Sequence, residues 1–375
     1  MKKVLTILST LLLLLALGTP VASAAEGEGG ESGSINPKEI IFEHLGDGYG
    51  WEVPFSHSHR IPLPVIVRDY EGGWHVFSSA RLMHGGEYDG FKIAEGGEYN
   101  GKVVGMQPDG NGGMTEYRPL DLSITKNVAA LWISALVVAL MAFWLVRWYK
   151  RNGMKAPRKG LGAFEVTVAY IYDGVIKPTL GTKAKKFAPY LLTVFFFILT
   201  MNLLGLIVIF PGGANLTGNL AVTLVLSIFT FLLTNLFGTK HYWKDIFWPD
   251  VPWWLKVPIP MMPIIELFGV FTKPAALTVR LFANMMGGHM IVIVLTLLIF
   301  IFTAIGGLAI GGLTTVVSLA FSLFMLLIDT LVSFIQAYVF TMLSTLFISL
   351  AQAGGEHGGE AVAEAKDSTG MLRAE

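Results

Sequence analysis

Two apolar stretches near the carboxyl end, 259–304 and 312–352, constrain this chain more than any other feature. Each would be about 60 Å long as a helix, against a bilayer hydrocarbon core of about 30 Å. Ordinary tilt cannot absorb that excess, so the stretches must break, with Pro274 one candidate point, or lie steeply inclined. The first holds Glu266, Lys273, Arg280 and His289. An ionisable group at membrane depth costs about 3 kcal/mol by insertion scales, which makes each a functional candidate. Snorkelling to the headgroups suits Glu266, Lys273 and His289, which lie toward the ends, but not Arg280 in the middle.

At 100° per residue, Glu266 and Lys273 fall within about 40° of Arg280, forming one polar stripe about four turns long, and Asn284 falls on the same side. His289 comes out on roughly the opposite face, about 13 Å along the axis. The second stretch has its own polar points. If the chain turns within the Gly-rich segment 306–312, antiparallel partners have residue numbers totalling about 617. That register sets Asp329 against His289 and Gln336 level with Arg280. Two independent polar matches on one register predict an antiparallel pair, although Asp329 could be only a structural partner for His289.

RLFANMMGGH (280–289), with Lys273-Pro274 seven residues before Arg280 and Glu266 fourteen before, resembles the a subunit of F-type ATP synthases. IQAYVFTMLSTLFISLA (335–351) resembles the last helix of that family. The two segments anchor a likeness over most of 128–352. The resemblance implies a membrane stator with two long inclined helices wrapping a rotating c ring, partnered by the b-subunit peripheral stalk and the remaining synthase subunits. It implies no cofactor and no metal. It also implies that Arg280 meets the rotor carboxylate, with His289, Asp329 and Asn284 lining one half-channel and Glu266 and Lys273 the other. In the family, positions 289 and 329 hold a histidine and a carboxylate in either order; aspartate at 329 departs from the more usual Glu or His.

Composition fits a polytopic membrane protein: hydrophobic residues are 53%, charged residues 14% and mean hydropathy is +0.59. A net charge of zero gives no general attraction to nucleic acid, and the lack of cysteine excludes disulfides and thiolate metal sites. Residues 1–25 read as a signal peptide, with Lys2-Lys3, an apolar core Val4–Leu17 and a small-residue cleavage site at Val21–Ala24. Residues 26–126 are rich in Gly, charge and turn pairs, and predict a small, irregular β-rich extracytoplasmic region behind a flexible leader. Its His57, His59, His75 and His84 have no metal-ligand spacing and read as surface residues.

The first span is expected within 127–149, closed by six cations from Arg147 to Lys159. The positive-inside rule makes that loop cytoplasmic and leaves 26–126 outside, as in a protein of the bacterial inner membrane. In the cytoplasmic segment 150–186, residues 161–181 resemble an amphipathic interfacial helix that ends or kinks at Pro178. Residues 187–258 predict a hairpin of two spans, 187–210 and 219–237, and an interfacial loop with Trp243, Trp248, Trp253 and Trp254. Asn202, Asn219 and Asn235 read as helix–helix hydrogen bonds before channel lining. Residues 259–352 form the long pair, and 353–375 a disordered cytoplasmic tail.

The expected fold is therefore all-α and polytopic, with about five transmembrane helices, an interfacial helix and a small β-rich amino-terminal region. A secondary transporter could also hold Arg, His and Asp at midplane, but the halves show no internal repeat. An intramembrane hydrolase would need HExxH, GxSxG or a cysteine, and a nucleotide-hydrolysing subunit a P-loop; the sequence has none of these.

Overall fold

A computed structural model describes residues 46–53, 56–94, 96, 99–108, 114–153, 155–157, 160–207, 213–247 and 261–352. The expected signal peptide, the carboxyl-terminal tail and three of the four loop tryptophans lie outside them. The chain divides into two compact units, one amino-terminal and β-rich, the other helical.

The amino-terminal unit is built from three small antiparallel sheets. β1 (Gly50–Val53) pairs with β2 (Ser56–Pro62); β3 (Pro64–Arg68) lies between β4 (Trp74–Ser78) and β8 (Leu120–Asp121); β6 (Val103–Pro108) lies between β5 (Phe91–Ile93) and β7 (Met114–Tyr117). In β3 the sequence PVIVR turns Val65 and Val67 inward and Ile66 and Arg68 outward, the period-2 pattern of a half-buried strand. Val65 and Val67 join Tyr49, Phe77, Leu82, Phe91 and Val103 in one core. Asp89 and Gly90 both have positive φ, 58° and 78°. Tyr88 and Phe91 exchange backbone hydrogen bonds around them at 3.0 Å. This two-residue turn needs positive φ at both centres, which Asp-Gly supplies.

A buried tyrosine ties the unit together. The Tyr49 hydroxyl donates to the Asp121 carboxylate and accepts from the Val103 N–H at 3.2 Å. Burial, followed by the Asp121 bond, pushes its pKa well up. The same unit holds the first turn of the next helix. The Lys126 N–H donates to the Gly48 carbonyl at 2.9 Å, and the Asn127 N–H to Asp47 Oδ1 at 3.2 Å.

That helix, α1, runs Lys126–Asn152. α2 (Gly160–Ile171) passes through a π-helical turn, Tyr172–Ile176, into the short α3 (Lys177–Leu180). A 3₁₀ turn, Gly181–Lys183, leads into α4 (Ala184–Leu206). Pro178 follows the π-helical turn directly, at the second position of α3, and the helical path does not end there. α5 (Leu220–Leu236), α6 (Lys240–Phe247) and α7 (Met261–Gln352) follow. Among the described residues four helical stretches are long and apolar enough to cross a membrane: 126–152, 160–206, 264–303 and 312–352; α5, with 17 residues, is shorter.

The three asparagines divide. Asn202 Oδ1 accepts from Thr217 at 2.8 Å, and its Nδ2 donates to the Ser333 carbonyl at 3.5 Å, so it bridges elements as expected. Asn235 Oδ1 accepts from the Tyr242 hydroxyl at 3.2 Å. Asn219 instead caps α5, accepting from the Ala221 N–H at 2.9 Å. A short polar side chain at a helix start meets an orphan N–H before it can reach a neighbouring helix.

Candidate ion-translocation site

α7 keeps helical backbone hydrogen bonding from Met261 to Gln352, through Pro274 and through 306–312. It is nevertheless folded back on itself. A Cβ placed on Gly288 would stand 2.8 Å from Asp329 Oδ1, whereas 41 residues of straight helix span about 60 Å. Lys273 Nζ lies 5.6 Å from the ring centre of Phe347. The midpoints of these two pairs fall at 308–310, inside the segment where the sequence places the turn. The two arms are antiparallel in the register expected. The helix assignment runs through the reversal, in a place where Gly306-Gly307 and Gly311-Gly312 supply paired glycines.

The first arm has two different faces. Val270, Leu277, Thr278, Leu281, Met285 and Gly288 are buried, a stripe at helical spacing that packs inward. Glu266, Arg280 and Asn284 are exposed on the other side, among exposed Ala276, Val279 and Ala283. Among the described residues no carboxylate lies within ion-pair distance of Arg280. Lys273 leaves that stripe: it is half-buried and leans onto Phe347 of the second arm.

His289 turns inward, its Nδ1 3.2 Å from the Met285 carbonyl. Both it and Asp329 are half-buried, and the closeness of Gly288 to Asp329 brings His289 within electrostatic reach of that carboxylate. Gly288 matters here because a side chain at that position would occupy the place of the Asp329 carboxylate. Gln336 is 7% exposed, and its Nε2 has no hydrogen-bond partner among the described residues. By the observed register it stands opposite 281–284, within a turn of Arg280.

Some contacts escaped the sequence reading. Ser227 of α5 and Thr278 of the first arm share a hydroxyl–hydroxyl hydrogen bond of 2.5 Å. Thr230 pairs with the Tyr190 hydroxyl of α4 at 2.9 Å. Thr223, Ser227, Thr230 and Thr234 are all buried. Their spacing of four, three and four is visible in the sequence and is the small-polar helix contact expected in lipid. The arrangement puts a permanent cation on an outer face and brings a histidine and a carboxylate near each other between the two arms.

Residues 128–349, more than half of the chain, match the family described as ATP synthase A chain. The chain belongs to this family. An ATP synthase subunit a 2 of Chlorobaculum tepidum is 42% identical over 264 residues, covering 68% of this chain and 71% of that protein. Subunit a of Chloroherpeton thalassium is 41% identical, covering 64% and 70%. Subunit a of Myxococcus xanthus is also 41% identical, covering 64% and 76%. Residues 40–122 match a second family, described only as a domain of unknown function. As an A chain, the protein is a multi-pass, proton-translocating subunit of the membrane sector of ATP synthase. It is not catalytic alone, and it works in the bilayer with the c ring, the b stalk and the other synthase subunits.

Proposed function

We propose that Arg280 is the fixed charge that holds the rotor carboxylate ionised between two offset half-channels. The observation that carries this reading is an arginine in the middle of an apolar arm, exposed, with no ion-pair partner among the described residues. Such a charge has to be compensated, and an acidic group arriving from another subunit does so. An opposite charge within a few ångströms lowers a carboxyl pKa by about 1–3 units, so a rotor carboxylate approaching Arg280 releases its proton. Arginine suits this task because its pKa above about 12 keeps it charged throughout, whereas a desolvated lysine can lose its proton. The same fixed charge repels a proton that would leak directly from one half-channel to the other.

In this proposal His289 and Asp329, with Asn284, line the outer half-channel. Glu266 and Lys273 line the inner one, and Gln336 sits beside Arg280. The orientation follows from the cations after α1: 26–126 outside, carboxyl terminus cytoplasmic. Five spans result if α5 crosses as well, its 17 residues being at the short end of the crossing range. The Gly160–Leu180 stretch then lies at the cytoplasmic interface. Each proton crossing at 100 mV releases about 2.3 kcal/mol, so several must pass for each ATP made.

The test is ATP-driven proton pumping in vesicles holding the intact complex, wild type against Arg280→Ala. Loss of pumping with the complex still assembled is the expected result. Normal coupled pumping in the variant would refute the mechanism.

A further inference from the structure

The β-rich unit carries a surface that the translocation mechanism does not use. Sheet β4-β3-β8 turns Val65, Val67 and Phe77 into the core, and its other face presents two cross-strand rows. Trp74, Arg68 and Leu120 form one row; Val76, Ile66 and Leu122 form the other. Trp74, Val76, Leu120 and Leu122 are each more than half exposed. The Arg68 guanidinium, between Trp74 and Leu120 in its row, lies 5.7 Å from the Trp74 ring centre.

We propose that this face rests on the bilayer surface at the amino-terminal end of α1, in contact with lipid at the boundary between headgroups and acyl chains. The inference rests on α1 crossing the membrane. Leu122 precedes Lys126, the first residue of α1, by only four residues, a reach of at most about 14 Å. The first turn of α1 is itself fastened to the unit through the Gly48 carbonyl and Asp47. The patch therefore cannot leave the neighbourhood of the membrane, whatever else binds the complex. Its chemistry suits that boundary: a tryptophan and branched aliphatics for the acyl side, and an arginine for the headgroup phosphates. Amphipathic helices at this boundary bury their apolar side about 5–10 Å deep, and the proposal sets this sheet face at a like depth. A protein partner could also cover apolar side chains, but the tether holds this patch beside lipid without one.

The chain contains no cysteine, so single-cysteine variants report cleanly in a complex whose other subunits have had their cysteines replaced. Val76→Cys and Leu122→Cys place a spin label on the face; Glu87→Cys and Thr115→Cys are exposed controls elsewhere on the unit. The assembled complex is reconstituted into phosphatidylethanolamine–phosphatidylglycerol vesicles, and collision with oxygen is compared with collision with a water-soluble nickel chelate. Labels at 76 and 122 are expected to lose nickel accessibility and gain oxygen accessibility, while labels at 87 and 115 stay water-like. Equal nickel accessibility at all four positions would overturn the proposal. Shielding of 76 and 122 from both reagents would overturn it too, in favour of a protein partner.

Discussion

Gly288→Ala tests the closeness of the two arms of α7 with a single methyl group. The added Cβ would stand 2.8 Å from Asp329 Oδ1, 3.0 Å from Oδ2 and 3.1 Å from Cγ, whereas ordinary contact begins at 3.4 Å. Three atoms of a short side chain cannot all yield without the carboxylate turning away or the arms parting. Overpacking of this kind costs about 1–3 kcal/mol, while alanine in place of a helical glycine returns about 0.5–1 kcal/mol. The expected balance is a loss of about 1–2 kcal/mol, which is a five- to thirtyfold shift in a folding ratio. Gly287→Ala is the control, since its Cβ would meet nothing within 4 Å. Purified complex is heated in steps, and the fraction of this subunit still assembled is measured. Gly288→Ala should dissociate at lower temperature than wild type, and Gly287→Ala at the same or a higher one. Adding Asp329→Ala to Gly288→Ala removes the clash and should recover assembly. Identical curves for the two alanine variants would show that the arms do not meet at this register.

Three further outcomes follow from the same kind of geometry. Gly105→Ala should destabilise the β-rich unit by about 1–3 kcal/mol, read as a lower unfolding midpoint, because its Cβ would lie 2.6 Å from the rigid Tyr117 ring across the β6–β7 ladder. Tyr117→Phe should show a pH-dependent effect. Burial first and the bond to Asp69 second push the Tyr117 pKa up to about 12; a raised acid pKa stabilises the fold below the unfolded value of about 10, and that contribution is lost as pH rises through the folded value. The difference in Tm between wild type and variant should stay constant to about pH 10 and narrow above it. Ser227→Ala removes the hydroxyl that pairs with Thr278 and should lower the assembly midpoint by the equivalent of about 1 kcal/mol, with Ser227→Thr restoring much of it.

The register of the long pair was legible because ionisable and amide groups are so few in 259–352. When only a handful of polar side chains interrupt an apolar run, one antiparallel pairing satisfies them and a slip leaves them in lipid. The seat of Lys273 was not legible. A helical wheel puts it with Arg280, but a four-carbon stem can swing across to an aromatic ring on the other arm, and nothing in its own arm reveals that. The backbone through 306–312 was also hidden, since paired glycines permit a loop and a bend equally well. In the β-rich unit the Asp-Gly turn at 89–90 has a local signal. The pairing of β3 with β8 joins residues more than fifty positions apart and has none.

The opposition of Arg280 and His289 on one arm explains how two charged systems of opposite need can share a helix. On the proposed mechanism Asp329 must remain free to exchange a proton with His289, and Arg280 must remain free to meet the rotor. Were both on one face, the guanidinium would capture the nearer carboxylate in a bidentate pair and neither could do its work. About two and a half helical turns, roughly 13 Å of rise, separate them and put them on opposite faces. The buried Leu281, Met285 and Gly288 stripe fills the inner side of that interval, while exposed Asn284 occupies the outer side. On that mechanism the apolar stripe insulates the pair from the arginine, and the amide offers a hydrogen-bonding step along the face that the rotor would pass. A carboxylate introduced by Asn284→Asp would give Arg280 a partner of its own, one turn away on the same face. It should therefore impair pumping more than Asn284→Ala, which removes only the amide. An Asn284→Asp variant that pumped as well as wild type would contradict the claim that Arg280 must stay unpaired within the chain.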